Sequence, residues 1–217
     1  MSNYDQMLAM GQRLFLDWDQ GEMIRRYHLE SDEKYLYLRF LGQRHRIERA
    51  TGMVENLDAQ RPAGFNASLS IFDYLCRDNV LPGMSGRWRA VNALKHAGQS
   101  SPNAAELHQR QAIRMQDHIP ALKEALESLT LAPFPQGDAA CTFEVFPGFY
   151  AVFQFWEGDE EFPPSVRFLW DDNALSYLRF ETLFYVMGGF LECIWTKIAE
   201  IERKSCPQAR QTPECML

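Results

Sequence analysis

A chain of 217 residues with 46% hydrophobic and 24% charged side chains has the size and composition of one globular domain, large enough to fold without disulfides or metal. Its net charge of −7 argues against a general nucleic-acid surface and against an anionic-membrane surface, since both need a dominant basic field. No apolar run approaches the roughly 18 residues of a membrane span, and the opening MSNYDQMLAMGQRLFLDWDQG carries Asp5, Asp17 and Asp19 where a secretory leader would carry bases. The expectation is a cytoplasmic protein with neither nucleic acid nor membrane as a partner.

Residues 4 to 29 read as helix, with Met7, Leu8, Leu14, Phe15, Trp18 and Ile24 in an imperfect apolar stripe broken near Gly21. Residues 34 to 41, KYLYLRFL, alternate: Leu36, Leu38 and Phe40 share one strand face, Tyr35, Tyr37 and Arg39 the other. A turn at Gly42 and Gln43 then leads into RHRIER and closes a hairpin. TGMVENLDAQRPAGFN reads as strand end and loop. NASLSIFDYLCRDN is a short helix with Asn66 or Ser68 as its cap. LPGMSGRWRAVNAL follows as a loop around Trp88. A further helix starts at Ser101 and Pro102 and breaks near Ile119, because Pro120 has no N–H to donate. CTFEVF, FYAVFQFW and SVRFLW are aromatic and β-branched runs separated by Pro147-Gly148 and Gly158-Asp159, the pattern of an antiparallel meander. The last helix, about 173 to 203, is capped by Asp172 or Asn173 and is apolar nearly all round its middle. It lies either at the centre of the fold or at a subunit interface.

The stretch FQFWEGDEEFPPSVRFLWDD holds the densest chemistry. Asp159, Glu160 and Glu161 fall at its tip, where they either keep a turn soluble or border a pocket. RFLGQRHRIER places Arg44, Arg46 and Glu48 on one face and His45, Ile47 and Arg49 on the other. Such arginines, with Arg39, either clamp a phosphate or carboxylate or stand in cross-strand ion pairs. Glu181 and Glu192, eleven residues apart, share a face of the last helix. The histidines His28, His45, His96, His108 and His118 show no metal-binding spacing, and no metal or cofactor is read from the sequence. Of the five cysteines, Cys76, Cys141 and Cys193 lie in apolar runs and read as buried free thiols, while Cys206 and Cys215 lie in a polar tail.

SIFDYLCRD, SGRWRAVNAL, GDAACTFEVFP and FQFWEGDEEFPPSVRFLWDDNALSYLRFE together resemble the prokaryotic family catalogued as domain of unknown function 3786, over roughly residues 65 to 195. The resemblance singles out Gly86, Trp88, Gly137-Asp138, the block from Trp156 to Pro163, Asp171 and Glu181. Some relatives carry an iron–sulfur segment beside this domain; this sequence has no such cysteine motif, so no redox role is carried over.

The resulting expectation is an α+β domain over residues 1–204, an antiparallel β-meander packed against a long C-terminal helix and several shorter helices, with 205–217 as a flexible tail. Its leading function is a small-ligand-binding or accessory domain. The aromatic and acidic pocket would be built from Arg87, Trp88, Trp156, Asp159, Glu161, Asp171 and Glu181, with Trp170 beside them. The alternatives are a hydrolase or lyase using a carboxylate pair from that set, and an interaction module forming a homodimer through the final helix. A closed pocket with an acid held protonated favours the enzyme; an open apolar patch over residues 183–195 favours the module.

Overall fold

The computed structural model describes residues 2–78, 80–94, 103–129 and 131–205. Ser101, Pro102, His96 and the tail cysteines lie outside the described residues, as does residues 206–217 of the expected tail. The N-terminal helical region is two helices, α1 (Asn3–Asp17) and α2 (Gln20–Tyr27). The break falls at Trp18 and Asp19, before Gly21. Ser2 caps α1 in a reciprocal capping box with Asp5, and the Asp19 side chain accepts from Glu22 N at 3.0 Å to start α2. A new N-cap side chain ends one helix and begins another, which an apolar stripe alone does not reveal.

The chain then runs through a first sheet: β1 (Glu30–Ser31), β2 (Tyr35–Phe40), β3 (Gln43–Glu48), β4 (Val54–Asn56) and β5 (Arg61–Pro62). Among the described residues it is five-stranded and antiparallel, with strands in sequence order. Leu36, Leu38 and Phe40 are buried and their alternates are not, as the period-2 pattern requires. The β2–β3 turn is Leu41–Gly42, not Gly42–Gln43: Phe40 pairs with Gln43, and Leu41 and Gly42 both have positive φ (50° and 73°). Two-residue hairpins of that hand match the twist of the strands. The arginine face is largely ion-paired: Arg44 with Asp58 at 2.8 Å, and Arg46 with Glu55. Arg49 instead donates to Gln20 and to Asp32 O.

α3 (Phe65–Leu75) starts at Gly64, without a side-chain cap. Asn66, expected as a cap, sits inside the helix and donates to Glu192; Ser68 is buried inside it too. The second sheet comprises β6 (Trp88–Ala90), β7 (Ala132–Pro133), β8 (Ala139–Phe146), β9 (Phe149–Trp156) and β10 (Ser165–Asp171), in the order β6-β10-β9-β8-β7. The expected meander is β8-β9-β10. The loop around Trp88 is in part an edge strand, β6. Between β6 and β7 come a short 3-10 helix (Val91–Ala93), α4 (Asn103–Gln116) and α5 (Ile119–Leu129). Pro120 falls in the first turn of α5, where its missing N–H has no helical partner to lose. The final helical region is α6 (Ala174–Tyr177) and α7 (Phe180–Ser205).

α7 is the centre of the fold. Leu183, Val186, Met187, Phe190, Leu191 and Ile194 are all buried. Phe190 stacks on Phe143 of β8 at 3.8 Å and meets Phe153 and Phe168 edge-on or tilted. α3 and α5 flank it. A Cβ on Gly188 would come within 2.8 Å of the Asn66 side chain, and one on Gly189 within 3.3 Å of Leu41. The glycine pair therefore lets the helix press against α3 and the first hairpin. Most of the apolar side chains of residues 183–195 are used inside the chain, while Phe184, Tyr185 and Trp195 are only partly covered. Among the described residues no helix is long and apolar enough to cross a membrane. Phe190→Ala should cost about 3–5 kcal/mol, the usual range for a buried phenylalanine, read from the midpoint of urea unfolding. A loss below about 1 kcal/mol would mean that the core is not organised around this ring.

Candidate functional site

Asp171 ends β10 and is completely buried. Its carboxylate accepts from Ser85 N (3.1 Å), Ser85 Oγ (2.9 Å), Gly86 N (2.7 Å) and Asn173 N (2.9 Å). A buried carboxylate persists only if its lone pairs are satisfied, and these four donors satisfy them from within the chain. Asp171 thus fastens the Ser85–Gly86 loop and sets β6 on the edge of the sheet, where Trp88 pairs opposite it. Arg87 and Arg89 both turn to Asp172, at 2.8 and 3.0 Å. Their bonds, Arg89's foremost, hold the Asp172 carboxyl below its ordinary pKa. Arg87, Trp88 and Asp171 are brought together, but as a structural clamp.

The acidic loop is a solvated turn. Asp159 Oδ1 accepts from Glu161 N and Phe162 N, both at 2.8 Å, and Asp159 N donates to Phe162 O. The bond from Phe162 N, then that from Glu161 N, lowers the Asp159 pKa. Asp159, Glu160 and Glu161 are exposed. The loop is tied toward α4 and α5 by Gly158 N donating to Gln116 and by Lys123 to Glu157, away from Arg87. The tryptophans do not converge either. Trp170 pairs opposite Ala151 on the inner face of the second sheet and is fully buried, whereas Trp156 pairs with Ser165 on the other face. Trp156 and Trp88 stand at opposite ends of β10, about 20 Å apart at 3.3 Å per residue.

Trp156 lines a cleft of about 730 Å³ with His108, Gln109, Gln136, Gln154 and Arg167. Two of its amides are committed, Gln154 Nε2 donating to Gln136 O and Gln109 Nε2 to Pro164 O, both at 3.0 Å, whereas the buried Trp156 Nε1 has no hydrogen-bond partner among the described residues. Glu181 lines a separate groove of about 740 Å³ between α1, α3 and α7, with Met7, Met10, Leu14 and Tyr185. The seven residues read from the sequence therefore fall in four places: the clamp, the loop, the cleft and the groove.

A cavity that the sequence did not reveal lies between α2, the first sheet, α3 and the β8–β9 turn. It measures about 720 Å³, and its lining includes Arg26, Tyr27, Arg39, Arg44, His45 and Tyr74. Tyr74 is held flat against Phe146 (3.9 Å, 3°) and touches the Tyr27 ring at 4.6 Å. His45 is 2% exposed, and burial pushes its pKa down, partly offset by a bond to Gln43 O. That bond, Nδ1 to Gln43 O at 3.0 Å, fixes the tautomer: a carbonyl oxygen only accepts, so Nδ1 carries the proton and Nε2 keeps its lone pair. No hydrogen bond to Nε2 is found among the described residues. The ring also walls a small inner cavity of about 100 Å³ that contains Gln43, Asn56 and Cys193. The Cys193 thiol is pushed up to about 11 by burial, and those of Cys76 and Cys141 to about 12. All three are free and protonated at neutral pH rather than poised as nucleophiles. Among the described residues no group of three or more His, Cys, Asp or Glu side chains could hold a metal ion.

Two outcomes follow from these assignments. Asp171→Ala strands four part-buried donors and should cost about 2 kcal/mol or more, whereas Asp159→Asn, in the solvated turn, should leave Tm unchanged; equal losses in thermal unfolding would contradict the contrast. The second concerns pH. His45 has a depressed folded pKa, so the unfolded chain takes up its proton first as pH falls below about 6.5. Stability is retained above that pH and declines toward the depressed value. His108, also lowered by burial, adds to the same slope. Urea unfolding between pH 7.5 and 5 should show a shallower acid loss for His45→Gln than for the natural chain, and an identical slope would show that His45 is not buried neutral.

A family model described as a domain of unknown function (DUF3786) matches residues 19–192. The match begins before the segments from which the resemblance was read and takes in α2 and the whole first sheet, and with them the His45 cavity; α1 lies outside it. No curated protein and no solved structure matches the chain. The chain belongs to this family.

Proposed function

We propose that this member of the family is a small-ligand-binding or accessory domain whose ligand sits in the cavity between α2, the first sheet and α3. The observation that carries the reading is His45: a neutral, buried imidazole that lines this cavity, with Nδ1 spent on Gln43 O and no hydrogen bond to Nε2 among the described residues. Ligand pockets of roughly 300–1,000 Å³ are typically apolar with a few convergent polar groups, and this cavity has that size and character. The pocket is aromatic and basic-rimmed, where the sequence suggested aromatic and acidic.

The carboxylate-pair enzyme has less support. Asp171 is fully hydrogen-bonded inside the chain, Asp159 caps its own turn, and Glu181 stands in another groove. Glu30 is the one carboxylate lining the cavity among the described residues. The buried free thiols support a reducing, cytoplasmic location, the net charge of −7 supports a ligand other than nucleic acid, and a core continuous across both sheets supports one domain.

The test is a screen of small aromatic fragments by amide-correlation NMR. Perturbed amides should cluster at residues 26–30, 37–39, 44–45 and 74, and His45→Gln should weaken the hits at least tenfold. Hits clustering around Trp156 or in the Glu181 groove, or no hits, would overturn the assignment.

A further inference from the structure

Two of the arginines on the cavity wall lie directly opposite one another. Arg39 of β2 and Arg44 of β3 are partners in the antiparallel register. Like charges placed directly across a ladder destabilise it, so each needs compensation. Arg44 has it: its main-chain N and its Nε bond both oxygens of Asp58, at 2.8 and 2.9 Å. Arg39 has less: it donates to Gly42 O at 3.1 Å and feels Asp58, which is already ion-paired with Arg44, only at longer range. Arg26, across the recess, is likewise spent on carbonyls, those of Arg77 and Asp78. Among the described residues neither Arg26 nor Arg39 has a carboxylate at ion-pair distance. Against three guanidinium groups the lining offers the single carboxylate of Glu30. A chain that is acidic overall thus keeps a locally cationic recess.

Two of the three phenols lining the cavity are spent as well, while Tyr74 OH has no partner among the described residues. Tyr27 OH donates to Tyr74 O at 2.6 Å, and Tyr37 OH to Asp32 Oδ2 at 2.7 Å. They leave ring surface, not donors, to a ligand. A guanidinium without a carboxylate partner is the usual receptor for a carboxylate or phosphate oxygen, and ring faces accept a flat apolar body.

We infer that the ligand of this cavity is a small carboxylate- or phosphate-bearing molecule with a flat body, its anionic group held by Arg39 at the rim. This rests on the cavity reading above and specifies the chemistry of what binds there. The net positive wall selects the anion and the tyrosine rings take the body.

Calorimetric titration with 4-hydroxybenzoate, phenyl phosphate and the neutral 4-hydroxybenzamide tests this on the full chain, with circular dichroism confirming that each variant is folded. At least one anion should bind at least tenfold more tightly than the amide. Arg39→Gln should erase that preference, and Arg46→Gln, which removes an arginine paired with Glu55 outside the cavity, should keep it. Stronger binding of the benzoate or of the phosphate identifies which anion is read. Equal binding of the amide, or an unchanged preference in Arg39→Gln, would overturn the anion inference while leaving the cavity as a ligand site. Binding by none of the three at millimolar concentration would overturn both.

Discussion

A helix that is apolar almost all round must be covered almost all round, and α7 imposes that requirement on the other elements. Sheet two supplies a floor of aromatic rings, α3 and α5 supply the flanks, and the β2–β3 hairpin closes over Gly189. Hydrophobic burial has no direction of its own. What makes the arrangement unique is the set of close approaches, with Phe190 flat on Phe143 and the two glycines admitting α3 and the hairpin. The first sheet joins the second through Leu41 N donating to Val145 O at 3.0 Å. That contact sets one wall of the His45 cavity relative to the rest of the core.

Buried polar groups separate into two kinds in this protein. Asp171 has every oxygen filled by donors from its own chain, and its effect is to hold a loop and an edge strand in place. His45 is satisfied on one nitrogen and open on the other. The distinction lies in accounting for hydrogen bonds, since both residues are almost wholly removed from solvent. A closed polar group stabilises one geometry; an open one costs stability until something arrives to complete it. By that criterion Asp171 holds the fold near β10, while Trp156 Nε1 and Trp170 Nε1, buried without a partner among the described residues, stand with His45 on the open side.

The sequence disclosed what depends on local periodicity. The alternation of Leu36, Leu38 and Phe40 put His45 and Ile47 on one face of β3, and both are buried. The three aromatic runs were strands, Pro120 opened a helix, and the last helix was apolar because it is central. What depends on distant partners was hidden. β6 is three residues long and is a strand only because β10, far along the chain, pairs with it. Asp171 looked like a pocket acid because nothing local shows that Ser85 and Gly86 reach it. Asp159, Glu160 and Glu161 looked like a site because charge is concentrated there, yet the physical content of the cluster is one side chain capping a turn. The inward face of His45 was legible, and so was an anion clamp among the arginines as one of two readings. The cavity was not, since α2, Tyr74 and Pro147 come to it from three separate parts of the chain.

The order of elements also bears on how the protein is made. Both sheets are complete by Asp171, but the helix that covers the inner face of the second runs from Phe180 to Ser205. At roughly 5–20 residues per second, a ribosome needs about one to five seconds to pass from the last strand to Ile198. During that interval Phe143, Phe153 and Phe168 have no Phe190 to meet, and a nascent chain in that state presents a broad aromatic face to its neighbours. Synthesis from the N-terminus therefore leaves this aromatic face uncovered until α7 emerges, and places a demand for chaperone protection in that short window.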